Sequence, residues 1–117
     1  MKLDQVNHIP QRDGYGQGLL DLCAAREDVV VLDADVSAST RTNWVHDRYP
    51  DHFYNVGISE QDLVGTAAGL ALGGQVPFVS TYGVFLSGRA FDQIHTPVCY
   101  NDLHVVFGGA HAGISVG

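Results

Sequence analysis

The run Tyr54-Asn55-Val56-Gly57-Ile58-Ser59-Glu60-Gln61 brings an extended segment to a glycine, then presents a hydroxyl and a carboxylate. Beyond it Leu63, Val64, Ala67, Ala68, Leu70 and Ala71 recur at helical spacing as far as Gly73. That pattern predicts a buried helix with Ser59 as its cap and Glu60 in its first turn. A carboxylate there either complements the helix dipole or points at a ligand from the C-terminal edge of a sheet, where open α/β folds place their sites. A second polar cluster, Asp33-Ala34-Asp35-Val36-Ser37-Ala38-Ser39-Thr40, follows the β-branched run Asp28–Asp33. It reads as a ligand-binding loop or as a strand-to-helix turn capped by Ser and Asp. Cys23 and Cys99 lack CxxC spacing and complete no zinc pattern with the six histidines, so both are expected as reduced, buried thiols.

Positioning such groups requires a scaffold, and the chain supplies alternating strand and helix signals. A helix is expected over about Arg12–Arg26, despite Gly14, Gly16 and Gly18, each costing about 1 kcal/mol against alanine in a helix interior. Those glycines do not fit the dinucleotide fingerprint, since no strand precedes them, and they read as close helix packing or a frayed first turn. Asp28–Asp33 is the first strand, Thr40–Arg48 a short helix stopped by Tyr49-Pro50, and His52–Val56 the second strand. The helix opened by Glu60 ends at Gly73-Gly74, and Val76–Tyr82 is a third strand. Gly83–Tyr100 is expected to be mostly helical, with Val84, Phe85, Leu86, Ala90, Phe91, Ile94 and Val98 on one broad face and Pro97 kinking or shortening it. Leu103–Phe107 is the expected fourth strand. Strands joined by helices of this length form right-handed βαβ units, hence an α/β, doubly wound, mainly parallel sheet with helices on both faces.

The 117 residues suffice for one domain at most. Thirteen Asp and Glu against six Lys and Arg give a net charge of −7, which argues against a nucleic-acid surface. The chain shows no apolar run of membrane-span length and no signal-peptide core, so a soluble, cytoplasmic protein is expected.

Four pieces in order, Asp33-Ala34-Asp35-Val36-Ser37, Asn55-Val56-Gly57-Ile58-Ser59-Glu60-Gln61, Gly88-Arg89-Ala90-Phe91-Asp92-Gln93-Ile94 and His111-Ala112-Gly113-Ile114-Ser115-Val116-Gly117, resemble the pyrimidine-binding domain of the transketolase family. The resemblance is strongest to the C-terminal subunit of split transketolases and spans Arg12 to Gly117. It implies a thiamine-diphosphate-binding fold with residues 1–11 as a lead-in and 12–117 as a truncated pyrimidine-binding domain, its sheet incomplete at the C-terminus.

The resemblance implies that Glu60 is the catalytic glutamate, hydrogen-bonding a ring nitrogen of the cofactor's aminopyrimidine. Tyr82 and Phe85 match the aromatic pocket for that ring, with Gly88 where many members add a third aromatic. Asp35 and Val36 match cofactor-adjacent positions at a subunit boundary. Arg12, Ser39 and His111 match positions that hold a sugar phosphate. Arg89 and Asp92, three apart on one helix, either pair with each other or hold that helix against the Glu60 segment or a partner. No metal ligand is assigned. Magnesium and the diphosphate are expected on a partner subunit of a homo- or hetero-oligomer, with no nucleic-acid or membrane partner. The implied activity is two-carbon ketol transfer between sugar phosphates, with the isolated chain inactive. Alternatives are a deoxyxylulose phosphate synthase-like or 2-oxo acid dehydrogenase β-like subunit, or a non-catalytic transketolase-like interaction domain.

Overall fold

Four segments form strands, β1 (Val29–Asp33), β2 (Phe53–Asn55), β3 (Val76–Tyr82) and β4 (Val106–Ala110), in the computed structural model, which describes residues 8–114. They pair in the order β2-β1-β3-β4, and every pairing is parallel. All five residues of β1 are buried, as a central strand covered on both faces requires. The pleat divides them. Val29 and Val31 pack with Leu19, Cys23 and Val45, contributed by α1 (Gln11–Ala25) and α3 (Asn43–Arg48). Val30 and Leu32 face Leu63, Val64 and Ala67 of α4 (Glu60–Leu72), together with Leu86, Ala90 and Val98 from the β3–β4 connection. Each fully buried aliphatic side chain contributes roughly 1.5–3 kcal/mol. The expected doubly wound α/β sheet, with helices on both faces, is the architecture that forms.

The glycines of α1 separate into two kinds. A Cβ on Gly16 would lie 2.6 Å from the Arg41 Cβ and 2.8 Å from Trp44 Cε3, so this position lets α1 approach Arg41 and the first turn of α3. Gly14 and Gly18 face open space. At the end of α4, Gly74 adopts φ +90° and its N–H donates to the Ala71 carbonyl, while Gln75 N–H reaches Leu70. This is the expected glycine stop.

Several local expectations are corrected. Residues after β1 include a single helical turn, α2 (Ser37–Thr40), and Arg41 at φ 68° separates it from α3, so the predicted Thr40–Arg48 helix begins only at Asn43. The predicted Gly83–Tyr100 helix is broken. It consists of α5 (Gly83–Gly88), an interruption at Arg89-Ala90, α6 (Phe91–Gln93) and a π-helical stretch Ile94–Tyr100 containing Pro97. Proline removes one ladder donor and crowds the preceding turn, and widening to π geometry is a known accommodation in helices. Val84, in α5 ahead of the break, and Phe91, just after it, do not join the expected apolar face and are 63% and 62% exposed.

The fourth strand lies three residues later than predicted. Leu103 N–H is occupied by the Val98 carbonyl, and Asp102 sits at φ 52°, so the chain is still closing the preceding helix where Leu103–Val105 would have begun a strand. Cys99 is exposed, against expectation, whereas Cys23 is buried. Of the lead-in, residues 1–7 lie outside the described residues, as do Ser115, Val116 and Gly117 of the fourth motif. Among the described residues no helix is long and apolar enough to cross a membrane.

Candidate functional site

Because all four strands run the same way, the segments after Asp33, Asn55, Tyr82 and Ala110 gather along one edge of the sheet. The chain leaves β1 toward β2 on one side and crosses back to β3 on the other, so the switch of direction falls between β1 and β3. Open α/β sheets bind ligands at this place. Each predicted site residue lies at or after one of these strand ends, except Arg12, which is on α1.

Glu60 is the first residue of α4 and is only 4% exposed. The turn that delivers it depends on Gly57, at φ 78°, whose N–H donates to the Asn55 side-chain oxygen at 2.9 Å. Ser59 occupies the cap position but does not cap with its side chain, because its hydroxyl donates back to the Val56 carbonyl at 3.0 Å. The carboxylate of Glu60 instead meets Arg89, whose Nη1 lies 3.4 Å from each of its oxygens. Arg89 therefore does not pair with Asp92; the break between α5 and α6 turns its guanidinium toward α4. A groove of about 370 Å³ opens here, lined by Ser59, Glu60, Gln61, Asp62 and Arg89.

The same guanidinium lies over the Phe85 ring, with Cζ 3.9 Å from its centroid. Phe85 stacks on Tyr82 at 5.5 Å and 12° between planes, an offset-stacking distance. Tyr82 packs in turn on His111, centroids 4.5 Å apart, and its hydroxyl donates to Ser39 Oγ at 3.2 Å. Five predicted or suspected residues thus form one continuous set of contacts: Glu60, Arg89, Phe85, Tyr82 and His111, with Ser39 at its side.

His111 adopts φ 53°, and its Nδ1 is buried without a hydrogen-bond partner among the described residues. It shares with Arg12 a larger groove of about 630 Å³, also lined by Tyr15, Thr40, Gly108 and Gly109. Ser39 does not line that groove, so the predicted trio is brought together as Arg12 with His111, and Ser39 with Tyr82. The two grooves share no lining residue. The smaller holds the buried acid, and the larger holds the cation and imidazole.

Asp35 is exposed at φ 64° and accepts a hydrogen bond from Asn55 Nδ2 at 3.1 Å, tying the β1 loop to the β2 loop. Val36 is half-buried beside it. The residue that fixes this loop is not among the predicted site residues. Asp33, fully buried, accepts from Val36 N–H at 2.6 Å with one oxygen and from the Thr40 and Thr42 hydroxyls, each at 2.9 Å, with the other. Burial raises its pKa above the ordinary carboxylate value, against those three hydrogen bonds, which pull it down. Tyr15, whose hydroxyl is 2.8 Å from Ser80 Oγ, was also missed. A Cβ on Gly108 would lie 2.6 Å from that hydroxyl, so glycine in β4 leaves room for the tyrosine; burial raises the phenol's pKa. The available signal for Asp33 was a carboxylate ending an otherwise apolar buried strand. For Tyr15 there was none.

Among the described residues, no group of three or more His, Cys, Asp and Glu side chains is arranged to hold a metal ion.

The chain matches the family described as transketolase, pyrimidine binding domain, over residues 7–117. It belongs to that family. A Methanocaldococcus jannaschii protein named as a transketolase C-terminal section is 45% identical over 106 residues, covering 91% of this chain and 34% of that protein. The 1-deoxy-D-xylulose-5-phosphate synthase of Carboxydothermus hydrogenoformans is 43% identical over 100 residues, covering 86% of this chain and 16% of the synthase. Among solved structures, a split-gene transketolase, an inactive β4 tetramer, superposes with a TM-score of 0.80 and 44% identity over 87% of this chain and 34% of its own. This chain thus spans about a third of the transketolase section and of the split-gene transketolase, and a smaller part of the synthase.

Proposed function

We propose that this chain forms the pyrimidine side of a thiamine-diphosphate-dependent transketolase, with magnesium and the diphosphate held by a second subunit. The observation that carries this is Glu60: a carboxylate 4% exposed that nevertheless lines a groove, joined through Arg89 to the stacked Phe85 and Tyr82 rings. An acid in a dry setting beside flat apolar faces fits an aminopyrimidine, which needs a strong hydrogen bond at one ring nitrogen and stacking on its faces. When bound, thiamine diphosphate supplies the nucleophilic centre for moving a two-carbon ketol unit. Glu60 holds the proton at the pyrimidine nitrogen, Phe85 and Tyr82 orient the ring, and Asp35 and Val36 contact the cofactor at the subunit boundary. Arg12, Ser39 and His111 offer a guanidinium, a hydroxyl and an imidazole to a sugar phosphate. The likeness to an inactive β4 tetramer supports an oligomer in which this half alone does not turn over.

The test is reconstitution with a diphosphate-side subunit, thiamine diphosphate and magnesium, comparing wild type with Glu60→Gln. Glutamine is nearly isosteric but cannot exchange the proton, and acid–base groups of this kind contribute about 10²–10⁴-fold. Ketol transfer should fall by at least about a hundredfold with the circular dichroism spectrum unchanged. Equal turnover in both proteins would remove Glu60 from catalysis. The synthase likeness favours one second reading, a deoxyxylulose phosphate synthase-like subunit. Acceptance of a 2-oxo acid donor in place of a ketose phosphate by the same reconstituted assembly would select it.

A further inference from the structure

We infer that Arg89 is a latch that occupies the pyrimidine pocket until the cofactor displaces it, an inference that rests on the function proposed above. Its guanidinium is a flat, delocalised cation, and it holds both features offered to a flat heteroaromatic ring. One edge lies 3.4 Å from each oxygen of Glu60, and one face lies over Phe85 with Cζ 3.9 Å from the ring centroid. A pyrimidine that hydrogen-bonds Glu60 while stacking on Phe85 needs the same volume. The two arrangements exclude each other.

The latch has the means to open. Glu60 is 4% exposed on its side chain, but Arg89 is 52% exposed, so the cation can leave while the acid stays. Arg89 sits at the interruption between α5 and α6, and swinging its side chain out is a change of rotamer that leaves its backbone bond to Phe85 in place. The exposed carboxylate of Asp62 lines the same groove and offers the released guanidinium another partner. In the closed arrangement the cation compensates a carboxylate that would otherwise stand buried and unpaired, a costly state. On loading, the cofactor's ring nitrogen takes over that role.

A protein whose binding-competent form is only partly populated shows its affinity reduced by that fraction. One half-exposed ion pair and one cation–π contact together hold the closed form by a factor of roughly ten. Arg89→Ala should therefore bind more tightly by up to about tenfold, and associate faster. Arg89→Lys keeps a charge for Glu60 but loses the flat face over Phe85, and should fall between.

The experiment is calorimetric and stopped-flow titration of thiamine diphosphate with magnesium into the full chain mixed with a diphosphate-side subunit, for wild type, Arg89→Ala and Arg89→Lys. The order Ala, then Lys, then wild type in affinity and association rate supports the latch. Variants that bind equally to or more weakly than a binding wild type overturn the latch and leave the proposed function standing. If none of the three folded proteins binds, the function falls and the latch with it. Should Arg89→Ala not fold, the Lys variant alone decides, by tighter or by unchanged binding.

Discussion

Removing the carboxylate of Asp33 should loosen the loop that carries Asp35, Val36 and Ser39, and the cost follows from where its hydrogen bonds go. In Asp33→Ala, the Thr40 hydroxyl keeps alternatives, since the Val36 and Ser37 carbonyls lie 3.3 Å away and the Thr42 hydroxyl 3.0 Å. Thr42 can pair with Thr40. The Val36 N–H donates to Asp33 Oδ1 and would lose that partner, at about 1–3 kcal/mol for an unsatisfied buried donor. Loss of two bonds to a charged acceptor and the space left behind adds to this, while relief of a buried charge subtracts. The balance is about 2–4 kcal/mol. Asp33→Asn keeps an oxygen for Val36, and its amide can donate to hydroxyls that rotate to accept, so its cost should be about 1 kcal/mol.

Urea unfolding followed by the fluorescence of Trp44, the chain's only tryptophan, reads these differences. With a slope of about 1–3 kcal/mol per molar urea, the Ala midpoint should drop by about 0.7–4 M and the Asn midpoint by about 0.3–1 M. The pH dependence supplies an independent check. Asp33 has a folded pKa raised above its ordinary 3.8, so over the window just above 3.8 the folded state binds more protons than the unfolded one. The contribution of this group to stability therefore falls as pH rises through that window. Asparagine has no such term, so the deficit of Asp33→Asn against wild type should shrink as pH rises from below 3.8 toward neutrality. A midpoint for Asp33→Ala within about 0.3 M of wild type, which at the slopes above is less than about 1 kcal/mol, or a deficit that grows with pH, would refute the reasoning.

Thiol chemistry should separate the two cysteines: exposed Cys99 reacts readily with a disulfide reagent in the native protein, whereas Cys23, buried and with its pKa raised by burial, reacts only on unfolding. Mass spectrometry of the singly labelled species checks this. Two glycines of α1 should respond in opposite directions. Gly16→Ala meets Arg41 and Trp44 and should destabilise by about 1–3 kcal/mol, whereas Gly18→Ala, facing open space, should stabilise by about 0.5–1 kcal/mol through helix propensity; urea midpoints read both.

Periodicity carried the fold because most elements obey it without interference. Val76–Tyr82 and the helix opened by Glu60 have the predicted bounds, since a β-branched run and a 3.6-residue apolar repeat agree with the burial that the tertiary structure imposes. It failed where a long-range partner overrode local preference. Leu103–Val105 has strand composition, but Leu103 is bonded to the preceding helix, and the strand forms instead through Gly108 and Gly109, whose missing side chains admit Tyr15 and a close approach to Gly83. The site divides the same way. The acid, the aromatics and their order along the chain were legible, because a motif is a one-dimensional object. The partner of Glu60 was open between two readings, since Arg89 and Asp92 at three-residue spacing also satisfy a helical ion pair; only the break at Arg89-Ala90 decides between them.

Strand register explains why these residues meet at all. Asp33, the last residue of β1, is opposite Asn55 on β2 and Ser80 on β3. β3 therefore runs two residues beyond β1, and Tyr82 projects past the end of the central strand, over the loop that carries Ser39. On its other side Tyr82 is opposite Ala110, which places the next residue, His111, against the Tyr82 ring. On the β2 side Asn55, level with Asp33, catches Asp35 and the Gly57 turn, and that turn delivers Glu60 at the start of α4. A one-residue slip of β3 against β1 would send Ser80 and Tyr82 to the opposite face, breaking the Tyr15–Ser80 contact and the aromatic stack together. The buried Val29–Asp33 strand, which contributes no side chain to either groove, is thus what sets the spacing between them.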